Sequence, residues 1–145
     1  MIDIAYASPR LAIAMIEDIH IAVHGQDNPS DKDWDAYLDS IRKMWSRHDQ
    51  VRGLVYTLGG NPSGAQRSQL NKINDGLKPW VSVMVESRIA RGAVTALSWF
   101  NPRIKAFAPD NLDDAMAHLD ITGPHAKRVR TALEHLEKAL QDAKD

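Results

Sequence analysis

Val51-Arg52-Gly53-Leu54-Val55-Tyr56-Thr57-Leu58-Gly59-Gly60-Asn61-Pro62-Ser63-Gly64-Ala65-Gln66-Arg67-Ser68-Gln69-Leu70 is the stretch whose reading decides the fold. Val51 and Leu54 to Leu58 make a short apolar run rich in β-branched and aromatic residues, the pattern of a strand buried on both faces. Gly59 and Gly60 end it, and Asn61-Pro62 fixes a turn. Ser63 stands three residues before Gln66, the spacing of a capping box over a helix start. Strand, tight loop and helix N-terminus follow one another, so the corner lies at the carboxyl end of a central strand, where open α/β sheets place their function. Unpaired backbone N–H groups at such a helix start favour polar or anionic groups.

Upstream, Trp34, Tyr37, Leu38, Ile41, Met44 and Trp45 recur at spacings of three and four, which predicts an amphipathic helix from Ser30 to about Arg47 with an aromatic core face. Before it, Leu11–Ile16 and Ile19–Val23 flank Glu17-Asp18 as a hairpin. Ile19, Ile21 and Val23 alternate with His20, Ala22 and His24, which predicts a half-exposed strand with both histidines at its surface. Their spacing suits metal ligation, but the sequence offers no third ligand, so no metal is expected. Residues 1–10 read as an N-terminal extension, with Ile2, Ile4 and Tyr6 as a weak edge strand broken by Ala-Ser-Pro.

Downstream, Ala65, Leu70, Ile73 and Leu77 give a second helix a thin apolar stripe, and Trp80 to Val85 reads as another strand. A third helix is predicted over 88–100, its small residues Ala90, Gly92, Ala93 and Ala96 suited to close packing. Arg88 and Arg91 in its first turn oppose the helix dipole and are candidate anion contacts. Ile104 to Ala108 is a short edge strand, and Asp110 or Asn111 caps a fourth helix. After Gly123-Pro124, residues Val129, Leu133, Leu136 and Leu140 form a heptad-like seam. The expected domain is therefore 1–122, with 123–145 a terminal helix that docks on it or pairs with a second copy.

With 145 residues the chain is one domain by size. Eighteen basic against nineteen acidic residues give no pull toward nucleic acid or membrane surfaces. The lack of cysteine excludes disulfides, thiolate metal sites and a Cys nucleophile, and it fits a reducing, cytoplasmic setting. No Walker motif, dinucleotide fingerprint, nucleophile elbow or His-Glu-x-x-His occurs, and no cofactor is implied. The expected class is α/β, a mixed and mostly parallel sheet of four to five strands covered by four helices, plus the extra C-terminal helix.

In this order of elements the chain resembles the STAS family, the sulphate-transporter and anti-sigma-factor-antagonist domains, in its sporulation-type branch. The resemblance is carried by Asp33-Trp34-Asp35-Ala36-Tyr37-Leu38, by Pro62-Ser63-Gly64-Ala65-Gln66-Arg67, by Arg91 to Phe100 and by Asn111-Leu112-Asp113-Asp114-Ala115, over about 11–120. It implies a non-enzymatic regulatory module that binds a partner protein, a regulator or a kinase-like protein, through Asn61, Pro62, Ser63, Gly64 and Arg67, with phosphorylation as the switch. The chain departs from that pattern. The family's phosphoacceptor position falls on Pro62, and its acid is Asn61, so the switch is degenerate and Ser63 is the remaining candidate phosphoacceptor. Two alternatives stand beside it: a small apolar ligand or lipid held between helix and sheet near Trp80, Trp99 and Phe100, and a crotonase-type thioester enzyme using Leu58 to Gly64 as its oxyanion loop.

Overall fold

The computed structural model describes residues 3–97 and 101–144. Its elements in chain order are β1 (Ile4–Ala7), β2 (Leu11–Ile16), β3 (Ile19–His24), α1 (Asp31–Arg47), β4 (Arg52–Thr57), α2 (Gly64–Asn74), β5 (Trp80–Val85), α3 (Arg88–Leu97), β6 (Ile104–Phe107), α4 (Leu112–His118) and α5 (Gly123–Asp142). The strands form one sheet in the order β1-β2-β3-β4-β5-β6. The pairs β1–β2 and β2–β3 are antiparallel, and every later pair is parallel. The class is α/β as expected, but with six strands rather than four to five: the segment around Tyr6 does join as an edge strand. Ser98, Trp99 and Phe100, read as the end of the third helix, lie outside the described residues.

Local chemistry explains the connections. The β2–β3 hairpin turns at Glu17-Asp18, with Glu17 in the left-handed region at φ 52°. Asp18 then receives the Arg52 guanidinium at 2.8 Å and, through its carbonyl, the Arg52 N–H at 2.9 Å. This pair ties the hairpin turn to the start of β4. Ser30 caps α1 with a full capping box, its Oγ accepting from the Asp33 N–H while the Asp33 carboxylate accepts from the Ser30 N–H.

Strand register sorts the side chains onto two faces. Ile21, Leu54 and Ser82 are neighbours across β3, β4 and β5 on one face; Ala22, Val55 and Val83 are neighbours on the other. The first face is covered by α4 and α5. Its core joins Ala12, Ala14, Ile19, Ile21, Val23, Leu54 and Met84 to Met116 and Leu119, and to Val129, Leu133, Leu136 and Leu140 of α5. The second face carries α1, whose Trp34, Tyr37, Leu38 and Ile41 pack on Leu11, Ile13 and Ala22. The right-handed rule for β-α-β units places α2 and α3 on that same face. No helix among the described residues is long and apolar enough to cross a membrane.

One local expectation changes, and a choice between two is narrowed. Gly92 is exposed, and a Cβ built there meets nothing within 4 Å among the described residues, so this position does not serve close packing. The α5 seam faces the chain's own sheet, with Val129, Ala132, Leu133, Leu136 and Leu140 all buried. Burying four such large side chains is worth about 1.5–3 kcal/mol each, which together rivals the ~5–15 kcal/mol net stability of an entire domain. A chain truncated after Thr122 is therefore expected to lose cooperative thermal unfolding in calorimetry. A sharp transition within a few degrees of the intact protein would show that α5 is dispensable.

Candidate functional site

The corner between β4 and α2 is built from the loop outward. Gly59 adopts φ 135°, a conformation that favours glycine, and lets the chain turn as it leaves β4. Gly60 lies so close to the preceding β3–α1 loop that a Cβ there would collide with the Asp27 carbonyl oxygen. Backbone bonds stitch the two loops together. Leu58 N–H donates to His24 O at 3.0 Å, Gly60 N–H to Gly25 O at 2.9 Å, and Asn61 N–H to the Asn28 side-chain oxygen at 3.0 Å. Gly59 N–H donates to Thr57 Oγ1 at 3.1 Å. The Gly59 and Gly60 amides that an oxyanion loop would aim at a thioester are thus spent inside the protein.

Ser63 caps α2 as its spacing requires. Its Oγ accepts the Gln66 N–H at 3.1 Å, and Gln66 Oε1 accepts the Ser63 N–H at 2.9 Å. Gln66 is the one buried residue of α2 and does more than close the box. Its side-chain nitrogen donates to Pro29 O at 3.2 Å, and its backbone carbonyl oxygen accepts the Trp34 indole N–H at 2.9 Å. The start of α2 is therefore clamped to the start of α1. Asn61, Ser63, Gly64 and Arg67 remain exposed around this clamp and Pro62 is half-buried, so the five expected corner residues are brought together at the surface. Arg67 reaches back to Pro62 O at 2.8 Å, and no acid stands in the first turn of α2.

The two candidate anion contacts fare differently. Arg91 Nη1 donates to the carbonyls of Val85 and Glu86, both at 2.8 Å, and so closes the end of β5. Arg88 is exposed and makes no ion pair among the described residues.

His20 and His24 are not at the surface. Both are buried, 1% and 4% exposed, because α1 covers β3 where the alternating pattern suggested solvent. His20 Nε2 lies 2.7 Å from Ser40 Oγ, whose own proton goes to Tyr37 O at 2.6 Å. Since that proton is used, Nε2 carries the hydrogen and donates to Ser40, and complete burial keeps the ring neutral. Tyr37 stacks on Trp34 with ring centres 4.5 Å apart and meets His20 edge-on at 5.0 Å. His24 Nδ1 is buried without a hydrogen-bond partner among the described residues. Nearby, Asp33 accepts the Tyr6 hydroxyl at 2.6 Å; burial alone would raise its carboxyl, but the hydrogen bonds from Tyr6 and the Ser30 N–H hold it below its ordinary range. The same contact follows burial in pushing Tyr6 up to about 12. Sequence reading missed this sector, although Ser30-x-x-Asp33 carries the capping-box spacing that leads to it. No group of three metal-ligating side chains occurs among the described residues.

Comparison with protein-family models, with curated proteins and with solved structures gives no match to the chain. The corner's geometry therefore carries the functional reading.

The buried rings make a pH prediction. Burial pushes His20 down from 6.5 to about 3 and His24 to about 4, the charge of Asp33 opposing the shift at His24. The unfolded chain takes up protons below pH 6.5 that the folded chain refuses, so stability is full above that pH and lost as pH falls toward 4. Each ring can withdraw on the order of 3 kcal/mol or more by this route. The thermal midpoint should fall steadily between pH 6.5 and 4, and His20→Gln should flatten that slope. A midpoint independent of pH over this range would contradict the burial of both rings.

Proposed function

We propose that this chain is a non-enzymatic, STAS-like interaction module that docks a partner protein with the corner Asn61 to Arg67. One observation carries the reading: the corner is exposed, yet its backbone is held from beneath by Gln66 and by two interlocked loops. A surface so pre-organised loses little entropy on docking. The antiparallel hairpin followed by alternating helices and parallel strands agrees with the STAS-like order of elements.

The switch of this module is degenerate. Pro62 cannot be phosphorylated, and Ser63 Oγ already accepts the Gln66 N–H. A phosphate on Ser63 would sit at a helix start whose own first turn carries no acid, with Arg67 one turn away to offset the Asp31 carboxylate that lies 3.5 Å from Gln66 Nε2. The partner is accordingly a regulatory or kinase-like protein that reads the corner's shape and the charge of Arg67.

Affinity capture with the intact chain, compared across Ser63→Glu and Arg67→Glu, tests this. Arg67 is exposed and Ser63→Glu gives up only its cap, about 1 kcal/mol, so both melting temperatures should stay within a few degrees of the parent, while the captured partner should be released at least tenfold. Retention of every partner by both variants, with the fold intact, would remove the corner from the interaction.

A further inference from the structure

α1 and α2 lie side by side with a cleft between them. Two contacts set their relative levels: the Trp34 indole N–H on Gln66 O at 2.9 Å near the amino ends, and the Trp45 indole N–H on the Asn74 side-chain oxygen at 3.1 Å near the carboxyl ends. Between these ties the helices form a surface cavity of about 420 Å³. Its wall on α1 is Asp35, Leu38, Asp39 and Arg42, and its wall on α2 is Gln69, Lys72 and Ile73. Spacings of three and four place each set on one face of its helix. Leu38, 4% exposed, and Ile73, packed against the same cluster, make an apolar floor. Trp80, which the sequence suggested for an apolar ligand, is not part of it and stands beneath the Arg103 guanidinium at 5.2 Å, edge-on to His118.

The charges of this cavity are sorted by end. Asp35 directly follows Trp34, at the amino-end tie. Arg42 stands three residues before Trp45 and Lys72 two before Asn74, so these cations share a level on opposite walls near the other tie. Seven residues of helix separate Asp35 from Arg42 by about 10 Å along the axis. Asp35 and Lys72 make no ion pair among the described residues. Asp39 accepts from Arg42 Nη1 at 2.9 Å. That bond engages one of the five guanidinium N–H groups and leaves the others to a ligand. With two acids and two bases the lining carries no net charge. A ligand of single sign is therefore repelled at one end, whereas a molecule bearing both charges about 10 Å apart is attracted at both.

We propose that the cavity between α1 and α2 binds a short linear peptide in its zwitterionic form, with the ammonium on Asp35, the carboxylate between Arg42 and Lys72, and a central apolar side chain on Leu38 and Ile73. Three extended residues at ~3.4 Å each span about 10 Å, which selects tripeptide length. Gln69, one turn before Lys72, offers its amide to the peptide backbone between the two charged ends. The site uses none of the corner residues Asn61 to Arg67, so either can fail without the other.

Gly-Leu-Gly titrated into the intact chain by calorimetry tests the assignment, with the N-acetylated, C-amidated form of the same peptide as the uncharged probe and free leucine as the short one. Gly-Leu-Gly should bind saturably, one per chain, and both other probes at least tenfold more weakly. Asp35→Asn and Lys72→Gln alter exposed side chains, so each should weaken Gly-Leu-Gly at least fivefold and leave the melting temperature unchanged. No saturable binding, equal binding of the blocked peptide, or indifference to both variants would overturn the site; equal binding of leucine would overturn its length.

Discussion

The bond from the Trp34 indole N–H to Gln66 O, backed by the Gln66 amide on Pro29 O, is the constraint on which the rest of this structure depends. It joins the starts of two consecutive helices across a buried boundary, where leaving either partner unsatisfied costs about 1–3 kcal/mol. Two consequences follow from one contact. The loop from Gly59 to Ser63 is pinned beneath and left open above, and α2 packs its Leu70 and Ile73 against the α1 cluster.

The sheet's two faces divide the work of stability and function. The face under α4 and α5 is a dry apolar core into which the terminal helix inserts four large side chains. The face under α1 mixes aromatic stacking with polar groups, and the neutral His20 ring, bonded to Ser40, fixes how α1 sits on β3. Buried polar groups of this kind stabilise little in themselves but disfavour other packings of the same helix. Toward β5 that face is less completely buried: Val81 and Val83 are half-buried, although Val85 is covered.

Much of this order was legible in the chain. The strand-loop-helix run around Asn61, the cap at Ser63 and the span of α1 follow from local patterns that short-range sterics and capping enforce. What local pattern could not supply was the covering of each element. The Ile-His-Ile-Ala-Val-His alternation of β3 reads as a half-exposed strand, and only the placement of α1 over it turns both histidines inward. Tyr6 looked like part of a broken extension, because the bond to Asp33 that holds it spans 27 residues. Gly92 looked like a packing contact, yet it is exposed and a Cβ built there meets nothing within 4 Å among the described residues. The link between Gln66 and Trp34, 32 residues apart, leaves no periodic trace at all.

Amide hydrogen exchange in Trp34→Phe measures that link most directly, since the substitution keeps an aromatic ring and removes the indole N–H. Losing a hydrogen bond worth ~1 kcal/mol should speed exchange at residues 60–67 by about fivefold beyond any change shared with the amides of β2 and β3. Uniform acceleration across the sheet and the corner alike would mean that Trp34 supports the fold in general, and that the corner is not held by this clamp.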